Sequence, residues 1–212
     1  MSSAGRARFG LSHRPKPRLA PRRVGILGGS FNPAHAGHLD ISRTALRKLG
    51  LDQVWWLVSP QNPLKSVSGM APLTERLRSA RALAKHPRIR VTSLEDELRT
   101  QYTADTLVAL RRRFPHTRFV WLMGADNLAD ISRWERWTQI FRTMPVAVLA
   151  RPSYSVRALA MKAARRFGKF RLPERSARRL AEHRPPAWVF VSGRLNPLSA
   201  TAIRRARVNG RR

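Results

Sequence analysis

The chain has 212 residues, 42% of them hydrophobic, which is enough for one α/β domain with a sizeable core. It contains no cysteine, which excludes disulfides, thiolate metal sites and a cysteine nucleophile. Lysine and arginine number 42 against 12 acidic residues, for a formal net charge of +30. Such a field attracts polyanions, but the arginines are scattered through helical segments and concentrated at both ends without a recognisable nucleic-acid-binding module, so nonspecific adhesion at low salt is expected rather than a specific nucleic-acid function. No uninterrupted apolar run reaches the length of a membrane helix, and the N-terminus lacks the apolar centre of a secretory signal. The expectation is a soluble, cytoplasmic protein.

Residues 1–22 are rich in Arg, Pro, Ser and Gly with little apolar periodicity, and read as a basic, disordered arm ahead of a single domain at 23–212. Val24, Ile26 and Leu27 then form a short apolar run that stops at Gly28-Gly29. Paired glycines at the carboxyl end of a strand either make a plain turn or let the backbone approach a bulky anion. His35 and His38 follow, and Gly37-His38-Leu39 leads into an apolar-periodic segment through Ala45, Leu46 and Leu49 that ends at Gly50. Both imidazoles therefore stand at a helix start, where unpaired N–H groups and the helix dipole favour an anion. A zinc site is disfavoured, because no third ligand lies nearby in sequence.

Val54 to Val58 is a second buried-strand candidate that empties into SPQNPLK, leaving Lys65 either above the sheet or as an exposed loop lysine. A helix with Leu73, Leu77, Ala80 and Leu83 on one face follows, then a strand over Ile89 to Thr92. The segment QYTADT opens the next helix, with Thr103 as the expected N-cap, Asp105 in the first turn and Leu107, Leu110 and Phe114 on the core face. Phe119 to Met123 is the fourth strand and terminates in Gly124-Ala125-Asp126-Asn127, where Asp126 caps a helix or accepts hydrogen bonds from a ribose. Trp134 and Trp137 lie just beyond, Trp137 being expected in the core.

Val146 to Leu149 gives a fifth strand. In the basic stretch after it, Val156 to Phe167 is helical in pattern and is expected to pack on the sheet. Trp188 to Val191 is the last strand. The closing segment Leu198-Ser199-Ala200-Thr201-Ala202-Ile203-Arg204 reads as a helix start on which Ser199, Thr201 and Arg204 make a second anion site, or as a capped, Arg-rich terminal helix.

Strands alternating with helices predict a Rossmann-like, doubly wound parallel sheet of order 3-2-1-4-5. In that order strands one and four are neighbours where the winding reverses, and ligands bind at such a point. The loops carrying Gly28 to His38 and Gly124 to Asp126 would then meet over one crevice. GxGxxG and GxxxxGK[ST] are both absent, which argues against a dinucleotide oxidoreductase and a P-loop NTPase.

The motif GGSFNPAHAGH resembles the signature of the HxGH nucleotidyltransferase superfamily, in particular that of the bacterial nicotinate-nucleotide adenylyltransferases, with Asn32 where many members carry Asp. LSATAIR resembles that family's ISSTxxR motif, with Leu198 for Ile and Ala200 for the second Ser. The resemblance implies a nucleotidyltransferase domain that joins nicotinate mononucleotide to the AMP of ATP. It implies Gly28, Gly29, Ser30, Phe31, Lys65, Gly124, Asp126, Ser199 and Thr201 as ATP-binding residues and His35, His38 and Arg204 as catalytic ones. Tyr102, Thr103 and Trp134 are implied at the nicotinate moiety, with the Trp134 ring stacked on the pyridine. Mg2+ is implied as a companion of ATP, held by phosphate and water rather than by a protein carboxylate cage. The partners implied are ATP and nicotinate mononucleotide, with no specific nucleic acid and no membrane; a sister enzyme using nicotinamide mononucleotide or phosphopantetheine shares the common motifs.

Overall fold

A computed structural model describes residues 22–60, 70–150 and 155–193. In chain order it runs β1 (Arg23–Gly29), α1 (Ala36–Lys48), β2 (Gln53–Val58), α2 (Leu73–Leu83), β3 (Ile89–Thr92), α3 (Leu94–Glu97), α4 (Thr103–Arg113), β4 (Arg118–Gly124), α5 (Ala125–Asp130), α6 (Trp137–Thr143), β5 (Val146–Leu149), α7 (Ser155–Leu159), α8 (Lys162–Arg166), β6 (Arg171–Leu172) and β7 (Trp188–Val191). Among the described residues the strands form one seven-stranded sheet of order β3-β2-β1-β4-β5-β7-β6. Every pairing in it is parallel. The expected order 3-2-1-4-5 is present, extended at one edge by β7 and β6.

The central strands are apolar on both faces because helices cover both. Val24, Ile26, Val54, Trp56, Leu57 and Val120 are fully buried, and Ile41, Ala45 and Leu46 of α1 and Leu107 and Leu110 of α4 pack against them. Gly50 sits at φ +59° just past α1, a left-handed conformation that closes the helix without a Cβ penalty. The register sets Gly28 beside Leu57 and Gly29 beside Val58. On the other side Leu27 faces Leu122, so the carboxyl ends of β1, β2 and β4 lie side by side where the winding reverses.

Three sequence expectations are corrected. Thr103 is the first helical residue of α4 rather than its N-cap; Tyr102 is the extended N-cap, and its carbonyl accepts from the N–H groups of Asp105 and Thr106 and from the Thr106 hydroxyl. The helix expected over Val156–Phe167 is two short helices, α7 and α8, joined through the i→i+3 bonds of Ala160 and Met161. Buried Ala158 and Ala163 would stand about 140° apart on one continuous helix at roughly 100° per residue, so only a break turns both inward. Both short helices pack chiefly on α5 and not on the sheet. Trp137 is half-buried at the core margin, edge-on to Phe141 and Phe167 at 6.4 and 5.9 Å between ring centroids. β6 went unpredicted because two residues carry no period.

Candidate active site

The loop after β1 folds its own side chains into a compact support. Phe31, at φ +47°, is buried, and its ring lies 5.1 Å from Trp56 and 4.5 Å from His38. His35 is the N-cap of α1 and His38 occupies the third helical position, with their rings 3.9 Å apart. His38 Nδ1 accepts from the backbone N–H of His35 at 3.1 Å, half of a capping box. That bond requires an unprotonated Nδ1, so the ring's hydrogen is carried by Nε2, which is thereby a donor. Below it Trp56 Nε1–H donates to Ser42 Oγ at 2.7 Å, and the Ser42 hydroxyl donates to the His38 carbonyl at 2.7 Å. Asn32 Oδ1 accepts from the Ala71 N–H at 3.3 Å, a task that needs only an acceptor.

Beside this support a cavity of about 220 Å³ is lined by Gly28, Gly29 and Ser30 after β1, Ser59 after β2, Glu95 on α3, Gln101, Tyr102 and Thr103 at the start of α4, Trp121 on β4, and Arg133, Trp134 and Glu135 after α5. Six of the residues expected at the nucleotide site are thereby gathered around one space: Gly28, Gly29, Ser30, Tyr102, Thr103 and Trp134. Gly124 and Asp126 stand at the end of β4 and in the first turn of α5, next to β1 in the sheet but outside the walls of this cavity. Lys65, Ser199, Thr201 and Arg204 lie outside the described residues.

Gly28 has a reason besides anion approach. A Cβ there would meet Trp121 Cη2 at 2.4 Å, so the missing side chain is what admits the indole to the cavity wall. Arg76, only 2% exposed, ties the two loops together from behind. Its Nε donates to the Ala71 carbonyl, its Nη1 to the carbonyls of Ser30 and Ser59 at 2.8 and 2.7 Å, and its Nη2 to that of Pro60 at 2.7 Å. Burial lowers its pKa, but a guanidinium stays cationic, so the clamp also places a fixed positive charge behind Ser30.

Glu95 is the group that sequence reasoning missed. It is 6% exposed, and burial pushes its carboxyl up to about 7, opposed by a hydrogen bond from Ser59. Its carbonyl accepts from the Thr100 N–H at 3.0 Å, and the Thr100 hydroxyl meets that of Thr106 at 2.9 Å, which holds Glu95 and the Tyr102 turn in one frame. A carboxyl with a raised pKa favours the folded state while protonated, and that contribution is lost as pH rises from the unfolded value near 4.5 through 7. Glu95→Gln is therefore expected to melt increasingly above the wild type as pH moves from 5 to 8 in a thermal-denaturation series, with a constant offset contradicting the assignment.

A family model described as cytidylyltransferase-like matches residues 26–206, so the fold and the site define a nucleotidyltransferase of that class. A curated relative of Cereibacter sphaeroides (strain ATCC 17023), named a probable nicotinate-nucleotide adenylyltransferase, is 56% identical over 181 residues, covering 85% of this chain and 95% of the relative. One of the same name from Methylorubrum extorquens is 54% identical over 182 residues, covering 86% of this chain and 98% of the relative. The chain belongs to the nicotinate-nucleotide adenylyltransferase family. A Plasmodium falciparum nicotinic acid mononucleotide adenylyltransferase solved with NaAD shares the fold, at a TM-score of 0.65 and 15% identity over 87% of this chain and 83% of that one.

Proposed function

We propose that the chain transfers the adenylyl group of ATP to nicotinate mononucleotide, giving deamido-NAD and pyrophosphate. The observation that carries this is one cavity lined by the glycine turn after β1, the opening of α4 and Trp134, with the paired imidazoles of His35 and His38 following the same turn in the chain. In the reaction a phosphate oxygen of the mononucleotide attacks the α-phosphorus of ATP in line, and the bond to the bridging oxygen breaks. The attacking oxygen is already ionised, so no proton has to move, and rate enhancement comes from alignment and from donors aimed at the oxygens that gain charge.

His38 Nε2–H and His35 serve the α- and β-phosphates, with the N–H groups at the start of α1 behind them. Lys65, Arg204, Ser199 and Thr201 take the departing pyrophosphate. Tyr102, Thr103 and Trp134 hold the pyridine, the carboxylate meeting N–H groups at the opening of α4 and the indole stacking on the ring. Gly124 and Asp126 receive the adenosine ribose. Among the described residues no group of three His, Asp or Glu is placed to ligate a metal. A Mg2+ ion carried by ATP would be held by phosphate and water and would supply charge neutralisation at the phosphates. Residues 23–212 work as one catalytic unit behind the basic arm. The compartment is the cytoplasm, in keeping with the absence of cysteine and with no helix among the described residues long and apolar enough to cross a membrane.

The test is pyrophosphate release from ATP with each candidate acceptor. Nicotinate mononucleotide is expected to turn over fastest; faster release with nicotinamide mononucleotide or phosphopantetheine would replace it as the substrate. Trp134→Ala is expected to raise KM for the mononucleotide about 10-fold or more, the scale of one base–aromatic stack, with a much smaller change in KM for ATP. Equal effects on both would show that the ring is structural.

A further inference from the structure

Two polar atoms in the wall of the cavity have no hydrogen-bond partner among the described residues: Glu95 Oε2 and Trp121 Nε1. Their residues are 6% and 2% exposed, so bulk water does not satisfy them, and native structures rarely leave such groups unmatched. They differ in kind. The indole nitrogen only donates, whereas a carboxylate only accepts. They do not bond to each other, and both residues line the cavity.

A ligand that completes this pair must accept from one side and donate to the other. A phosphate or the pyridine carboxylate does only the first, and would set a second anion against Glu95. A sugar hydroxyl does both. The same cavity carries the residues assigned above to the pyridine, at Tyr102, Thr103 and Trp134, and the glycine turn after β1 at another part of its wall. The sugar of a mononucleotide joins its base to its phosphate, so a hydroxyl of that sugar falls within the enclosed space.

We propose that Glu95 and Trp121 are ribose-binding residues, the Trp121 indole donating to a sugar hydroxyl of the mononucleotide and that hydroxyl donating to the Glu95 carboxylate. The assignment rests on the proposed adenylyl acceptor. Ser59 orients the carboxylate through its own hydrogen bond, and the Thr100–Thr106 contact keeps α3 in register with the opening of α4. Ribose recognition is thus built on side chains from α3 and β4, apart from the glycine turn and the histidine pair.

The experiment compares wild type, Glu95→Gln and Trp121→Phe at pH 8, where the carboxyl is ionised, with nicotinate mononucleotide and with its 2′-deoxy and 3′-deoxy ribose analogues. Both substitutions keep shape: the amide is nearly isosteric, and phenylalanine leaves a ring against Gly28. Wild type is expected to show a KM at least about 10-fold higher for one of the deoxy analogues, because a site built to bond a hydroxyl rejects the analogue lacking it. In either variant that ratio is expected to fall to within about twofold of one, with KM for ribonucleotide raised, kcat changed much less and KM for ATP unmoved. Equal KM values for all three acceptors in wild type, or an undiminished ratio in Glu95→Gln, would overturn the pairing. Should Trp121→Phe fail to fold, the near-isosteric Glu95→Gln decides alone. No turnover of nicotinate mononucleotide by wild type would overturn the proposed function together with the pairing, whereas turnover with unchanged ratios overturns the pairing only.

Discussion

His38→Ala is expected to lower kcat by roughly 100-fold or more, the scale of removing one preorganised donor from a site where charge develops on oxygen. The prediction draws on the tautomer set by the helix cap. Because Nδ1 is engaged by the His35 N–H at 3.1 Å, the remaining hydrogen sits on Nε2, in a ring held between His35 and Phe31 at centroid distances of 3.9 and 4.5 Å. Little rearrangement is then needed to use that hydrogen when the α-phosphorus becomes crowded. The substitution also removes one capping bond, worth about 1 kcal/mol, which leaves the chain folded and does not produce a loss of that size in turnover. Initial rates at saturating ATP and mononucleotide check it, with a melting curve as the control. Near-normal kcat in a folded His38→Ala protein would take the imidazole out of the mechanism.

Arg76→Met should have the largest effect on stability. Methionine keeps the apolar stem of the side chain and deletes the fork that four backbone carbonyls share, those of Ser30, Ser59, Pro60 and Ala71. Each carbonyl left unpaired in a buried setting costs about 1–3 kcal/mol, and water entering the gap recovers part of it, so a net loss of about 3 kcal/mol or more is expected. At this chain length that is a fall of roughly 6–12 °C in Tm. Arg76→Lys is expected to recover only part of it, since an ammonium cannot present a planar fork to carbonyls on three segments. Because the clamp joins the loops after β1 and β2, kcat/KM should drop in both variants even at temperatures where they are folded. A Tm for Arg76→Met within about 2 °C of wild type would show that the carbonyls find other donors.

Arg76 and Glu95 show why the site was only partly visible beforehand. Arg76 sits in LTERLRSAR, where arginines alternate with leucines in the manner of a solvated face; its position three after Leu73 and four before Ala80 places it on the apolar stripe, and that is the signal that was available. Glu95 offers no such signal. In Glu95-Asp96-Glu97 the three acids look alike, and only the short turn of α3 under the end of β2 decides that the first is buried. In the sequence Trp121 is simply the middle residue of the apolar run Phe119 to Met123. What makes it part of a cavity is Gly28 on the neighbouring strand, a relation across the sheet that no local window contains. The same holds for Thr103, placed one residue away from its expected capping position, since helix ends depend on how the incoming chain approaches as well as on residue type.

Local composition determined the alternation of strands and helices, the parallel sheet and its winding order, and the glycine and histidine turn after the first strand, because period, β-branched and aromatic runs, and glycine stops are properties of consecutive residues. Among the described residues, tertiary structure decided which basic and acidic side chains are inside, with a local signal at Arg76 and none at Glu95. Burial of a charge is set by what crosses above it, and the carboxyl of Glu95, the guanidinium of Arg76 and the indole N–H of Trp121 acquire their chemistry from segments distant in sequence, brought together only where the carboxyl ends of β1, β2 and β4 meet.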